Sequence, residues 1–164
     1  KVPMPDQYVA RSPADMPDAR TMLGQSGLEF ITAIKEGRLP GAPIAGIMGY
    51  AMHAVEEGRV SFRGAPAFEH LNPMGGVHGG WYGTLLDSAM GCAVATILPK
   101  GKTYSTLEYK INITRALKPG TLIDCTATLQ HAGRSTAVAV GEIRGVEDGK
   151  LYATGSTTCI LMSP

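Results

Sequence analysis

One apolar stretch decides the architecture of this 164-residue chain: residues 81–98, whose sequence is WYGTLLDSAMGCAVATIL. It is apolar on nearly all sides and contains one acidic residue, Asp87. A helix of this length would span ~27 Å, close to the thickness of a bilayer core. A carboxylate near the middle is costly in lipid, and strands with one polar face follow in the sequence. We therefore predict a helix that is buried by a sheet, and no membrane span.

Alternation of apolar and polar residues predicts that sheet. Residues 107–113 and 123–129 alternate strictly, and turns at 131–134 and 147–150 lead into two further apolar segments. These four segments are expected to form an antiparallel meander. Residues 47–55 and 59–63 flank a Glu-Glu-Gly turn, which predicts one more pair of antiparallel strands.

The N-terminal part differs in composition. Residues 1–25 contain four prolines and no apolar segment of the signal-peptide type, which predicts an irregular arm on a cytoplasmic protein. The first residue is Lys1, so we expect further residues before it in the complete protein. Ser26 precedes a helical pattern over 27–37 and is a good helix cap. The predicted organisation is an arm, residues 1–25, and one α+β domain, residues 26–164, in which a curved antiparallel sheet wraps a long central helix.

Composition narrows the possible functions. The chain is 44% hydrophobic and 18% charged with a formal charge of +1, which favours one packed core and argues against a nucleic-acid-binding surface. The three cysteines lie in apolar segments without metal-ligand spacing. We expect buried, reduced thiols and no metal site.

A glycine-rich segment, NPMGGVHGG at residues 72–80, comes directly before the predicted helix. A helix N-terminus presents unpaired N–H groups and the positive end of the helix dipole, and glycine lets an incoming oxygen approach the backbone. This geometry suits an oxyanion hole. Phosphate binding is less favoured because the patterns GxxxxGK[ST] and GxGxxG are absent, and no GxSxG elbow indicates a serine hydrolase. The alternative interpretation is an ordinary glycine-rich connection in which His78 is a helix cap or a hydrogen-bonded core histidine.

Asp87 is the second candidate site. The residues one helical turn away are Gly83, Thr84, Met90 and Gly91, of which three are small. A hollow beside the carboxylate is therefore expected, which would suit a substrate. The alternative is a structural carboxylate that is paired with an arginine or a neighbouring strand.

Five short segments together resemble one family. They are Asn72, HGG at 78–80, LDSAMG at 86–91, TLE at 106–108 and GRST at 133–136. This combination resembles the hotdog-fold acyl-CoA thioesterases of the PaaI-like type, which includes phenylacetate-degradation and 4-hydroxybenzoyl-CoA thioesterases, over residues 27–162. The resemblance implies a hotdog fold and hydrolysis of an acyl-CoA thioester to free acid and CoA, with no metal or redox cofactor.

The resemblance also implies a role for each matching residue. Asp87 is the nucleophile or general base, the Gly79 N–H stabilises the thioester oxygen, and Asn72 is a second polar group near the carbonyl. His78 orients the loop, and Thr106 positions the attacking water. Active sites of this family lie between the two subunits of a homodimer, with the HGG loop of one facing the acidic residue of the other, and dimers often pair into homotetramers.

Coenzyme A is the expected partner molecule. The resemblance implies that its pantetheine arm and nucleotide bind along Arg134, Ser135 and Thr136. Arg134 in a turn, with Arg115 and Lys118 on a connection expected nearby, also offers isolated cations for phosphates without a basic surface.

Two other functions on the same fold compete with hydrolysis. One is a non-catalytic acyl-CoA sensor, although a pure binder has no need of a carboxylate at the thioester. The other is a hydratase or dehydratase, which is weaker because no histidine is paired with an acid at the expected spacing. Trp81 and Tyr82 follow the HGG motif where many members of the family have smaller residues. The resemblance therefore does not predict which acyl group is the substrate.

Overall fold

Six antiparallel strands form one sheet around a long helix in this computed structural model, which describes residues 8–164. The strands are β1 (Tyr50–Glu56), β2 (Arg59–Gly64), β3 (Thr103–Ile113), β4 (Ile123–Ala132), β5 (Thr136–Gly145) and β6 (Leu151–Met162). The helices are α1 (Ala19–Leu23), α2 (Gly27–Lys35), α3 (Pro43–Met48) and α4 (Gly79–Ala95). The predicted α+β architecture is confirmed.

The predicted central helix is α4, and it is buried as expected. Eleven of its 17 residues are buried, among them Trp81, Leu85 and Met90. One side of α4 packs on strands β2 to β6 and another on α2, which explains why its sequence is apolar almost all round. Within residues 8–164, no helix is both long and apolar enough to cross a membrane.

The predicted meander is correct for three strands and wrong for the fourth. Strands β4, β5 and β6 pair in chain order, but β3 pairs with β6 at the far edge of the sheet, which has the order β1-β2-β4-β5-β6-β3. The connection from β3 to β4 therefore crosses the end of α4. Leu117 anchors it there, because its side chain is buried and its N–H donates to the Tyr82 hydroxyl at 2.8 Å. Alternation predicts strands but not their partners.

A β-bulge changes which residues of β3 face α4. The pairing with β6 shifts between Thr106 and Glu108, so Leu107 is the extra residue, and its side chain is 58% exposed. The strict alternation over residues 107–113 groups Leu107 with Tyr109 and Ile111, but the bulge leaves Leu107 exposed. A bulge reverses the alternation of a strand, so Thr106 before it and Tyr109 after it both face α4.

The N-terminal predictions need three corrections. The described part of the arm is not wholly irregular, because Pro13–Asp15 form a 3₁₀ turn and α1 follows; residues 1–7 lie outside the described chain. The first strand begins at Tyr50, since residues 47 and 48 belong to α3, which ends at Gly49 with φ 73°. The Ser26 cap is confirmed by the Glu29 N–H, which donates to Ser26 Oγ at 3.1 Å, but α2 ends at Lys35. The domain boundary at residue 26 stays a prediction.

Candidate active site

Asp87 and Thr106 meet at the centre of the molecule. Asp87 lies midway along α4, and the Thr106 hydroxyl on β3 donates a hydrogen bond to Asp87 Oδ1 at 3.0 Å. The resemblance implies this pair, and the structure brings the two side chains together. A hydroxyl that donates to one carboxylate oxygen leaves the other oxygen available to a ligand or water.

Two tyrosine rings fix the position of β3 over α4. A Cβ atom at Gly83 would lie 3.2 Å from the Tyr109 hydroxyl, and one at Gly91 would lie 2.6 Å from the Tyr104 hydroxyl. Both glycines therefore admit a ring that a larger residue would push away. The expected hollow beside Asp87 at Gly83 and Gly91 is wrong, because these rings fill it.

The open space lies on a different side of Asp87. A pocket of about 260 Å³ is bounded by α4, β1, β2 and β3, and the rest of its lining comes from α2, α3, the segment between them and residues 8 and 9 of the arm. Its lining includes Asp87, Ser88, Cys92, Tyr50, Tyr104 and Thr106. The carboxylate thus faces a cavity, but one formed by Ser88 and Cys92 rather than by the glycines.

Most lining groups near Asp87 are uncharged. The hydroxyls of Tyr50 and Ser88 are hydrogen-bonded at 2.7 Å. Desolvation by burial raises the pKa of Tyr50 to about 12 and the pKa of Cys92 to about 12. The Cys92 thiol is therefore protonated at neutral pH and is a poor nucleophile. Asp87 is the only carboxyl group among the lining residues, and Lys35 is the only cation.

Residues 72–80 form a tightly bonded loop before α4. Asn72 Oδ1 accepts the N–H groups of Met74 at 2.9 Å and Gly76 at 3.2 Å. His78 Nδ1 accepts the Gly80 N–H at 2.8 Å, so His78 caps the helix, as the simpler interpretation had it. The Gly79 N–H has no partner among residues 8–164, and as the first residue of α4 it is at the positive end of the helix dipole.

The two halves of the predicted site are separated within one chain. Gly79 and Asp87 are eight residues apart on α4, or about 12 Å along its axis. Asn72, His78 and Gly79 are not among the residues that line the Asp87 pocket. One carbonyl cannot contact both the Gly79 N–H and the Asp87 carboxylate of the same chain.

The predicted CoA-binding residues are also divided. Arg134 and Ser135 lie in the turn between β4 and β5, and Thr136 begins β5, whereas Arg115 follows β3 at the opposite end of the sheet. The ten residues of β4 separate the two ends by about 33 Å. The expectation that Arg115 lies near Arg134 is wrong within one chain, because the β3–β4 connection runs to the other end of the sheet.

Sequence reasoning missed part of the pocket. Ser88 follows Asp87 directly, and helical spacing does not single it out because adjacent helical residues point to different faces. Tyr50 comes from a remote strand and carries no local signal. The arm also contributes, through Tyr8 and Val9. Among residues 8–164, no three His, Cys, Asp or Glu side chains are placed to hold a metal ion together.

Known proteins share this fold. The family model described as the thioesterase superfamily matches residues 74–152. A phenylacetic acid degradation-related protein from Ralstonia eutropha is 32% identical with a TM-score of 0.73, over 80% of this chain and 98% of that one. The phenylacetic acid degradation protein PaaI from Thermus thermophilus, solved as a mutant, is 26% identical with a TM-score of 0.66, over 72% of this chain and 97% of that one.

A curated relative agrees with the solved structures. A Caenorhabditis elegans protein named as a putative esterase is 33% identical over 90 residues, 55% of this chain. The match spans about half of that relative, 53% of its length. An antiparallel sheet wrapped around one long helix is the hotdog fold, and the extensive match to the Ralstonia structure settles the family. The chain belongs to the thioesterase superfamily, among its PaaI-like members with the hotdog fold.

Proposed function

We propose that this protein hydrolyses acyl-CoA thioesters to a free acid and CoA. The observation that carries the proposal is the Asp87 carboxylate, held by Thr106, in the wall of a pocket of acyl size. At the ~30 Å³ that a water molecule occupies in the liquid, 260 Å³ holds roughly nine waters. That space suits an acyl group, and the proposal places the CoA moiety outside it.

The chemistry needs a base or nucleophile and a donor to the carbonyl oxygen. In the water-mediated route, Asp87 removes a proton from water as the water oxygen bonds to the carbonyl carbon. The C–S bond then breaks, and the proton passes to the departing sulfur, which gives CoA and the acid. In the covalent route, an oxygen of Asp87 bonds to the carbonyl carbon and the C–S bond breaks, which releases CoA as the thiolate and leaves a mixed anhydride. Water then hydrolyses the anhydride to the acid and the Asp87 carboxylate, and a proton from that water goes to the thiolate. Both routes place negative charge on the carbonyl oxygen, where the free N–H of Gly79 would stabilise it.

A homodimer would unite the two halves of the site. Gly83 lies halfway between Gly79 and Asp87 on α4, and it packs against Tyr109 of β3. A two-fold axis close to this contact would exchange the ends of the two helices. It would thereby bring Gly79 of one copy towards Asp87 of a second copy, as the family resemblance implies.

The edge of the sheet supports this assembly. β3 is an edge strand of 11 residues, and its Leu107, Tyr109 and Ile113 side chains are each 46% exposed or more. Long apolar edge strands invite pairing with another strand. We therefore propose that β3 pairs with β3 of a second copy. Further pairing into tetramers stays a prediction.

The remaining predicted residues keep supporting roles in the proposal. His78 orients the HGG loop by capping α4. Asn72 uses its side-chain oxygen within the loop, which leaves its amide N–H groups to donate to the substrate. Binding of CoA by Arg134, Ser135 and Thr136 is proposed from the resemblance. Arg115, at the opposite end of each subunit, is proposed as an isolated cation for the CoA phosphates.

Thr106 is expected to act as a positioning residue. Thr106→Val keeps the shape of the side chain but removes the hydroxyl that donates to Asp87. Hydrogen bonds to charged groups are worth ~1.5–3 kcal/mol, so we expect kcat to fall by about tenfold or more while KM changes little. Thr106→Ser keeps the hydroxyl and should retain most of the rate. Equal losses in both variants would contradict this role.

A screen of acyl-CoAs tests the proposed function directly. Aromatic, short-chain and long-chain acyl-CoAs are incubated with the protein, and released CoA is detected with a thiol reagent. We expect steady-state release from at least one class. Tight binding of acyl-CoAs without turnover of any of them would favour a sensor and overturn the proposal.

Mixing two inactive variants tests whether the site is shared between copies. An Asp87→Asn chain and a Gly79→Pro chain, refolded together in equal amounts, should form mixed dimers in which one of the two sites is intact. With random pairing, roughly a quarter of wild-type activity should return. No recovery in demonstrably mixed dimers would contradict a site shared between copies, even if the wild type hydrolyses thioesters.

A further inference from the structure

The N-terminal arm contributes Tyr8 and Val9 to the lining of the acyl pocket. We propose that Val9 is a specificity-determining residue that sets how long a hydrocarbon acyl chain the pocket accepts. This inference rests on the proposed function, because it assigns the acyl group to the cavity beside Asp87. Neither Val9 nor the arm takes part in the chemical step described above.

Backbone hydrogen bonds fix the arm at this wall. The Gly41 N–H donates to the Tyr8 carbonyl at 2.7 Å, and the Ala10 N–H donates to the Gly41 carbonyl at 3.0 Å. The two bonds form a short parallel bridge between Val9 and Gly41. Ala10 is only 3% exposed, so the segment is packed onto the domain and does not lie loose on its surface.

Gly46 makes room for the Val9 side chain, and Gly41 lies in ordinary contact with it. A Cβ atom at Gly46 would lie 3.0 Å from Val9 Cγ2, and one at Gly41 would lie 3.6 Å from Val9 Cγ1. Alanine at Gly46 would therefore press on Val9. The missing side chain at Gly46 lets Val9 pack closely against α3 while it also lines the pocket.

The chemistry of this wall indicates the part of the substrate that it meets. Val9 lines the pocket together with Ile34 of α2 and Ala45 of α3, and Lys35, next to Ile34, is the one cation of the lining. An apolar wall gains free energy from hydrocarbon and not from a polar terminus. The end of the acyl group that meets Val9 is therefore expected to be aliphatic or aromatic.

A pair of opposite substitutions tests the proposal. Binding of straight-chain acyl-CoAs, from butanoyl to dodecanoyl, is measured by calorimetry on the full chain carrying Asp87→Asn, with Val9 kept or changed. Each methylene buried against apolar surface adds about fourfold in affinity, so affinity should rise with chain length until the wall is reached. Val9→Ala removes two carbons, and we expect the limit to move to longer chains, with about a tenfold gain for the first chains beyond the wild-type limit.

The control and the opposite variant make the outcome decisive. Val9→Leu should move the limit to shorter chains. Val140→Ala makes the same change on β5, outside the pocket, and should leave the profile unchanged. A profile that does not respond to either Val9 variant overturns the proposal, as does an absence of acyl-CoA binding. Turnover by the wild type is measured separately, so failure of hydrolysis with a shifted binding profile would contradict the proposed function alone.

Discussion

Asp87→Asn is expected to lower kcat for CoA release by about 10²–10⁴-fold, the usual contribution of a general base, with little change in KM. Asparagine has the same shape as aspartate, and its side-chain oxygen can still accept the hydrogen bond from Thr106. The pocket should therefore stay intact, while the group that activates water or attacks the thioester is lost. Steady-state release of CoA from the best substrate of the screen is the measurement.

A matched control separates this loss from a general effect of removing a carboxylate. Asp18 caps α1 and accepts the Thr21 N–H at 2.7 Å, and it is not one of the residues that line the pocket. Asparagine is as good a helix cap as aspartate, so Asp18→Asn should leave both stability and kcat unchanged. If Asp87→Asn retained the wild-type rate, the base or nucleophile would have to be another group.

Gly79→Pro is expected to lower kcat by about 10²–10³-fold, the usual cost of losing one oxyanion donor. Gly79 is the first residue of α4, a position that favours proline, and the residue before it has φ −59° and ψ 136°, which proline also tolerates. The substitution therefore removes the N–H without breaking the helix. Rates of CoA release, together with circular dichroism to verify the helix, measure the effect.

Gly79→Ala is the control for this substitution. It keeps the N–H, and its Cβ atom would lie 3.6 Å from Ile113 Cδ1, an ordinary van der Waals distance. We expect a rate within a few-fold of the wild type. If the alanine and proline variants were equally slow, the shape of the loop would matter and the N–H would not.

Local patterns predicted the elements of this fold better than their arrangement. The apolar run around Asp87 could belong only to a buried helix once strands followed it, and α4 confirms this. Alternation predicted strand β3 correctly, but it did not predict that β3 pairs with β6. That pairing depends on the β3–β4 crossover, which Leu117 anchors in the core. Long-range pairing leaves no mark in the alternation of a single strand.

In the candidate site, too, the residues were easier to predict than their surroundings. Short motifs led to Asp87 and Thr106, which the fold brings into contact. The position predicted for the hollow was wrong. A glycine in a sequence shows only that a side chain is missing, and in the structure the ring of Tyr104 occupies the space at Gly91. Whether such a space stays open depends on a strand that is distant in sequence. The wall formed by Val9 depends in turn on a bridge to Gly41, more than thirty residues away.

The bulge at Leu107 makes the structure of β3 depend on the number of residues in the strand. Loss of one residue there would straighten β3 and turn Tyr109 away from Gly83, because side chains alternate between the two faces of a strand. A change in the identity of residue 107 has no such consequence, since its side chain points into solvent. Within one subunit the fold therefore depends on the presence of a residue at position 107 and not on its identity, whereas the proposed contact between two copies of β3 would depend on that identity as well.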